Sequence, residues 1–222
     1  MDKPKKIAID GPVGVGKSTV ARIVAGKLGF AYIDTGAMYR AAAYFLINRN
    51  IDIEEQATVC ESLRDLLVKF DETQRIFVGS QDVTPYIRTQ EISGAASVVA
   101  AYPCVREKLV KLQQLMAAKT NVVMDGRDIA SHVLPDADLK IYLDAELDIR
   151  AQRRLDDLLA KGQKADYDEV RKETAIRDER DMNRTESPLV KTPDAVVIDT
   201  GGIKLEEVVE RVLSEYKKIG VC

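Results

Sequence analysis

Residues Gly11, Pro12, Val13, Gly14, Val15, Gly16, Lys17 and Ser18 complete the pattern G-x-x-x-x-G-K-S/T, and Thr19 follows. The segment before them, Lys6-Ile7-Ala8-Ile9-Asp10, reads as a short buried strand. The segment after them, residues 17–28, has helical periodicity and ends at Gly29. Strand, glycine loop and helix in that order form a phosphate cradle. Glycine lets the backbone wrap an anion where a Cβ would obstruct, and the helix start adds N–H groups and the positive end of its dipole. Lys17 is expected to reach the β- and γ-phosphates, and the Ser18 hydroxyl to ligate Mg²⁺. A glycine-rich turn that binds nothing is the competing explanation, and the complete spacing in its proper context sets it aside. The loop implies a nucleoside triphosphate without saying what it is used for.

The rest of the chain continues the alternation. Ala31-Tyr32-Ile33 reads as a strand, followed by helical stretches at 37–47 and 54–67. Between 68 and 87 the pattern changes, and Ile76-Phe77-Val78, Gly79-Ser80-Gln81-Asp82 and Val83 suggest a small hairpin-like insertion. Helical patterning resumes over 90–101, stops at Pro103 and restarts through Lys119. Strand signals at Val122-Val123-Met124, Lys140-Ile141-Tyr142-Leu143 and Ala195-Val196-Val197-Ile198 each end beside an aspartate: Asp125, Asp144 and Asp199. Helices are expected over 147–159, 167–184 and 205–218. Short apolar strands alternating with helices predict a parallel sheet covered on both faces, with ligands at the carboxyl ends of its strands. The expected fold is a three-layer α/β core with insertions near 60–100 and 150–185.

Composition removes several alternatives. The 222 residues are 45% apolar and 31% charged, which suits a folded core, and the net charge of −3 argues against bulk attraction to nucleic acid. No apolar run reaches the ~18 residues that span a bilayer. The opening residues lead straight into a strand-like run and not into a signal-peptide pattern, so the expected location is the cytoplasm. Cys60, Cys104 and Cys222 are odd in number and widely spaced, and are expected to be unpaired thiols in a reducing compartment. His132 is the sole histidine, and no ligand pattern for zinc and no Ser-His-Asp arrangement surrounds it.

A second supply of phosphate-binding groups points to a kinase. No Asn-Lys-x-Asp, the guanine-reading signature of a GTPase switch, occurs, and the length leaves little room for a motor's extra domains. Asp34-Thr35-Gly36-Ala37-Met38-Tyr39-Arg40 and Asp125-Gly126-Arg127-Asp128 each place an arginine just beyond a strand. Two guanidinium forks there suit a second anion. Asp125 suits the Mg²⁺ ligand that acts through water. Seven of the sixteen arginines fall between Arg150 and Arg184, in a stretch whose net charge is only +1. Helical spacing puts Arg177, Asp181 and Arg184 on one face with Arg180 beside them, and Arg150 and Arg154 on another with Arg153 adjacent. A solvated helix laced with ion pairs is one explanation, and a lid that brings arginines to a transferring phosphoryl group is the other.

G-P-V-G-V-G-K-S-T, D-T-G-A-M-Y-R, I-R-T-Q-E, D-G-R-D and R-D-x-R-D-x-N-R occur here in the order seen in bacterial cytidylate kinases, which the chain resembles from about Ile7 to Tyr216. The resemblance implies transfer of the ATP γ-phosphoryl group to CMP or dCMP with Mg²⁺, by a single P-loop kinase domain. In it, residues 1–34, 103–149 and 186–222 would form the core, 35–102 the monophosphate-binding region and 150–185 the lid. It implies phosphate contacts from Arg40, Arg127 and Arg184, and cytosine contacts from Ser97, Arg106 and Asp128. Sugar contacts would come from Arg177 and Asp181. Tyr39 and Thr35 lie in the monophosphate motif, Thr35 where other members often have serine, and Arg150, Arg153 and Arg154 belong to the lid. Lys17, Arg127, Arg184 and the lid arginines would serve catalysis. The partners are small nucleotides, with neither nucleic acid nor membrane, and a monomer is expected.

The chemistry agrees with the near absence of histidine. A monophosphate's second pKa lies near 6, so its attacking oxygen is ionised at pH 7 and needs no general base. Asp128 suits an exocyclic amine, and uracil would face it with a carbonyl. A kinase for a different nucleotide or small metabolite, and a nucleotide-binding regulator that transfers nothing, remain the alternatives.

Overall fold

The computed structural model describes residues 3–160 and 162–219. The chain divides into two compact units, one comprising residues 1–33 with 116–222 and the other 34–115.

The first unit is built on a five-stranded sheet. β1 (Lys6–Asp10) lies at its centre, and the strand order is β2 (Ala31–Asp34), β6 (Val122–Asp125), β1, β7 (Leu139–Asp144) and β8 (Val196–Asp199). β1 pairs in parallel with β6 and β7, and β7 with β8. The central strands have almost no polar face because both sides are covered: Ile7, Ile9, Val123, Ile141 and Leu143 are buried. They pack with Val20 and Val24 of α1 (Lys17–Leu28) and with Val208 and Val212 of α8 (Leu205–Ile219). From β1 the chain passes to β2 and back to β6 on one side, then to β7 and β8 on the other, so the strand order reverses around β1. That reversal is where open α/β sheets place their ligands. The strand boundaries fall within two residues of the sequence expectation, and α6 (Leu147–Ala160) and α7 (Tyr167–Asn183) are as the periodicity predicts.

The second unit is helical, with a small sheet. Its helices are α2 (Thr35–Asn48), α3 (Gln56–Ser62), α4 (Gln90–Val99) and most of α5 (Pro103–Ala117). Three expectations need correction here. The helix expected over 54–67 is the seven-residue α3 followed by a 3₁₀ turn at Leu63–Asp65. The hairpin gains a third strand, β3 (Val68–Phe70), beside β4 (Ile76–Val78) and β5 (Gln81–Asp82), all antiparallel. The break expected at Pro103 is present: α4 ends before it and Pro103 opens α5, where its missing N–H is harmless. Cys60 and Cys104, expected as free thiols, form a disulfide with Cα atoms 5.7 Å apart, because α3 and the start of α5 meet although 44 residues separate them in sequence. Cys222 lies outside the described residues.

Candidate active site

The glycine loop leaves β1 at Gly11, whose missing Cβ makes room for the carbonyl oxygen of Leu143. It ends at Gly16, which flanks α1 in the left-handed conformation, φ 90°. Gly16 has no side chain to cap α1 and the first turn carries no acid, so the dipole and N–H groups at this end suit an anion supplied by a ligand. Lys17 is buried and donates from Nζ to the Pro12 carbonyl at 2.6 Å. Burial first, and then the charge of Arg127, hold its ammonium well below the usual lysine range, against the pull of Asp125, Asp10 and Asp181.

The Ser18 hydroxyl donates to Asp125 Oδ2 at 2.8 Å, and the Tyr32 hydroxyl donates to Oδ1 at 2.8 Å. Asp125 ends β6 and Ser18 lies in the first turn of α1, so sheet and loop bring a hydroxyl and a carboxylate together. Hard oxygen ligands of this kind fit Mg²⁺, which typically takes one or two protein groups and completes its shell with phosphates and water. Among the described residues no cluster of three or more His, Cys, Asp or Glu could hold a metal ion.

A charged cluster occupies the same unit. Arg127 Nε donates to Asp181 Oδ2 at 2.8 Å, and Arg184 reaches Asp128 at 3.4 Å and Asp181 at 4.0 Å. Burial raises the Asp181 carboxyl, but Arg127, Arg177 and Arg184 outweigh it, so the group lies below the usual aspartate range. Burial opposes the Arg127 charge, yet Asp181 prevails and raises that guanidinium. The arginines expected from residues 125–128 and from the 177–184 face therefore meet, with Asp128 and Asp181 between them. Arg184 Nε also donates to the Ser187 carbonyl at 2.7 Å.

The arginines of α6 have other partners. Arg150 is buried, with Nε donating to the Ala145 carbonyl at 2.8 Å and Nη1 to the Val13 carbonyl at 3.0 Å. Nη1 also pairs with Asp178, whose other oxygen accepts the Val13 N–H at 3.0 Å. Both backbone groups of Val13 in the glycine loop are thus gripped by α6 and α7. Arg153 donates to the hydroxyl and carbonyl of Thr200, at 2.9 and 2.6 Å, and Arg154 is half-buried. The exposed His132 stands beside Ser131 at 2.9 Å.

The second unit holds the remaining candidates. Asp34 flanks α2 and accepts the Ala37 N–H at 2.7 Å, while Arg40, one turn on, donates to its carboxylate at 3.2 Å. Thr35 is buried at the first position of α2. The Arg106 guanidinium lies 5.7 Å from the centre of the Tyr39 ring and donates to the Ala100 carbonyl at 3.4 Å. Ser97 is buried on α4, which packs on α2.

Sequence reasoning missed Asp10, Tyr32, Asp178 and Thr200. Asp178 and Tyr32 had a signal, one lying three residues before Asp181 and the other inside a strand leading to the D-T-G motif. Asp10 and Thr200 had none beyond their places at the ends of strands.

A family model described as Cytidylate kinase matches residues 7–218. The chain is 47% identical over 216 residues to a cytidylate kinase of Listeria monocytogenes serovar 1/2a, with 96% of each chain covered. It is 45% identical over 217 residues to one from Bacillus cereus, again with 96% of each covered. Among solved structures, a gluconokinase from Sinorhizobium meliloti superposes with a TM-score of 0.50 at 13% identity, covering 99% of this chain and 95% of that one, a likeness of fold alone. This chain belongs to the cytidylate kinase family.

Proposed function

We propose that this chain transfers the γ-phosphoryl group of ATP to CMP or dCMP, releasing ADP and CDP or dCDP. The observation that carries the reading is that Asp125, which accepts the Ser18 hydroxyl at the glycine loop at 2.8 Å, lies two residues from Arg127, whose Nε donates to Asp181 at 2.8 Å. The glycine loop and the guanidinium–carboxylate cluster of the acceptor motifs are thus joined through the end of β6.

In this reading residues 11–19 hold the ATP phosphates, with N–H groups from residues other than Pro12, which has none, and Val13, whose N–H goes to Asp178. The negative charge of these phosphates favours the ammonium form of Lys17, which turns from the Pro12 carbonyl toward the β- and γ-oxygens. Arg40, Arg127 and Arg184 hold the acceptor phosphate, whose ionised oxygen bonds to the γ-phosphorus as the bond to the β,γ-bridging oxygen breaks. Ser18, and Asp125 through water, would hold Mg²⁺, which when bound supplies neutralisation of phosphate charge. Positioning and charge then account for catalysis without a general base. Arg177 and Asp181 hold the sugar, Asp128 accepts from the cytosine amine, and Arg106 and Ser97 donate to the ring. Tyr39 and Thr35 shape the monophosphate pocket. Residues 35–102 act as the monophosphate-binding region and 150–185 as the lid, with Arg150, Arg153 and Arg154 on it. The enzyme works as a cytoplasmic monomer. Among the described residues no helix is long and apolar enough to cross a membrane.

A coupled ADP-release assay across CMP, dCMP, UMP, AMP and shikimate tests this reading. CMP and dCMP are expected to give the highest kcat/KM. Preference for any other acceptor overturns the base assignment, and ATP binding without acceptor-dependent turnover overturns the kinase.

A further inference from the structure

Asp10 closes β1, is 1% exposed, and plays no part in the reading above. One of its carboxylate oxygens accepts the backbone N–H of Ile129 at 3.0 Å, and the other accepts that of Ala130 at 2.7 Å. These amides begin a π-helical turn, Ile129–Val133, whose flanking residue is Asp128. An aspartate in that flanking position ordinarily folds its own carboxylate back onto the first amides of the turn. Asp128 makes no such bond. Its backbone carbonyl receives the N–H groups of His132 and Val133, while its carboxylate faces Arg184.

We propose that Asp10 is a positioning residue for acceptor recognition: by capping this turn from β1, it keeps the Asp128 carboxylate away from its own backbone and presented to the acceptor base. The inference rests on the reading of Asp128 as the group that receives the cytosine amine. Buried amides that lose their acceptor draw in the nearest carboxylate, and here that is the side chain of Asp128. Each oxygen of Asp10 serves one amide, so Asp10→Asn replaces one acceptor with a donor while keeping the shape.

The test is the ratio of kcat/KM for CMP to that for UMP in Asp10→Asn, Asp128→Ala and the double variant. Asp10→Asn is expected to lower the ratio about tenfold, mainly through the KM for CMP, with the KM for ATP within about twofold of the parent. The double variant is expected to match Asp128→Ala alone, because Asp10 acts through Asp128. If Asp128→Ala lowers the ratio and Asp10→Asn leaves it intact, or if the two losses multiply, the inference is overturned while the base reading stands. A raised KM for ATP with an intact ratio makes Asp10 a support of the glycine loop and overturns it too. If Asp128→Ala leaves the ratio unchanged, the base reading falls and takes the inference with it. Amide hydrogen exchange on the unaltered protein gives a check that needs no folded variant. Slow exchange at Ile129 and Ala130 supports the capping, and exchange at loop rates overturns it.

Discussion

The glycine loop and the cluster around Asp181, which the proposed function assigns to the two nucleotides, are built by opposite means. The loop works with backbone: its geometry follows from Gly11 and Gly16, and it has one cationic side chain, Lys17, whose ammonium burial holds below the usual lysine range. The cluster works with side chains: Arg127 and Arg184 are held by Asp181 and Asp128, so their charge is secured before any ligand arrives. A backbone cradle can be built from one contiguous stretch. A side-chain cluster needs two segments about fifty residues apart to fold onto each other.

That contrast breaks first at Lys17. Lys17→Ala is expected to lower kcat on the order of a thousandfold while the loop amides continue to bind ATP. Steady-state kinetics beside ATP titration measure both, and a loss under about tenfold would mean that the backbone carries the donor side alone. Arg150 sharpens the contrast, because a side chain here props a backbone loop. Arg150→Met strips Asp178 and the Val13 carbonyl of a buried partner, and is expected to cost about 3–5 kcal/mol in denaturant unfolding. Undiminished stability with collapsed kcat would move Arg150 into the transfer machinery. The smallest effect belongs to Asp181. Asp181→Ala is expected to raise the KM for CMP about tenfold with the KM for ATP unchanged, since Arg127 loses the carboxylate that orients it. Equal effects on both nucleotides would erase the distinction between the two regions.

What could be read from the chain follows the same division. The loop, α1 and the parallel sheet were legible because their signals are local: a complete motif, a glycine stop, and apolar runs ending in aspartate. The meeting of Arg127 with Asp181 was visible only as two patterns, one beyond a strand and one on a helix face. Helical spacing correctly grouped Asp181 with Arg184, but no spacing tells which carboxylate a guanidinium from another segment will choose. Arg150 shows this, since its place on the α6 face fits a lid arginine as well as it fits a clamp on Val13. In the second unit β3 escaped notice because three residues, Val68–Phe70, carry too little periodicity to register. The Cys60–Cys104 pairing depends on where α3 and α5 meet, which no local pattern encodes.

That crosslink turns part of the second unit into a covalent ring: the chain from Cys60 to Cys104 encloses the antiparallel sheet and α4. Closing a loop of this size removes unfolded-chain freedom worth about 4 kcal/mol in the simple entropy model. Protein purified with a dithiol reagent and protein purified without one are then two covalent species with different melting behaviour, and stabilities compared between variants have meaning only when the redox history of the samples is the same.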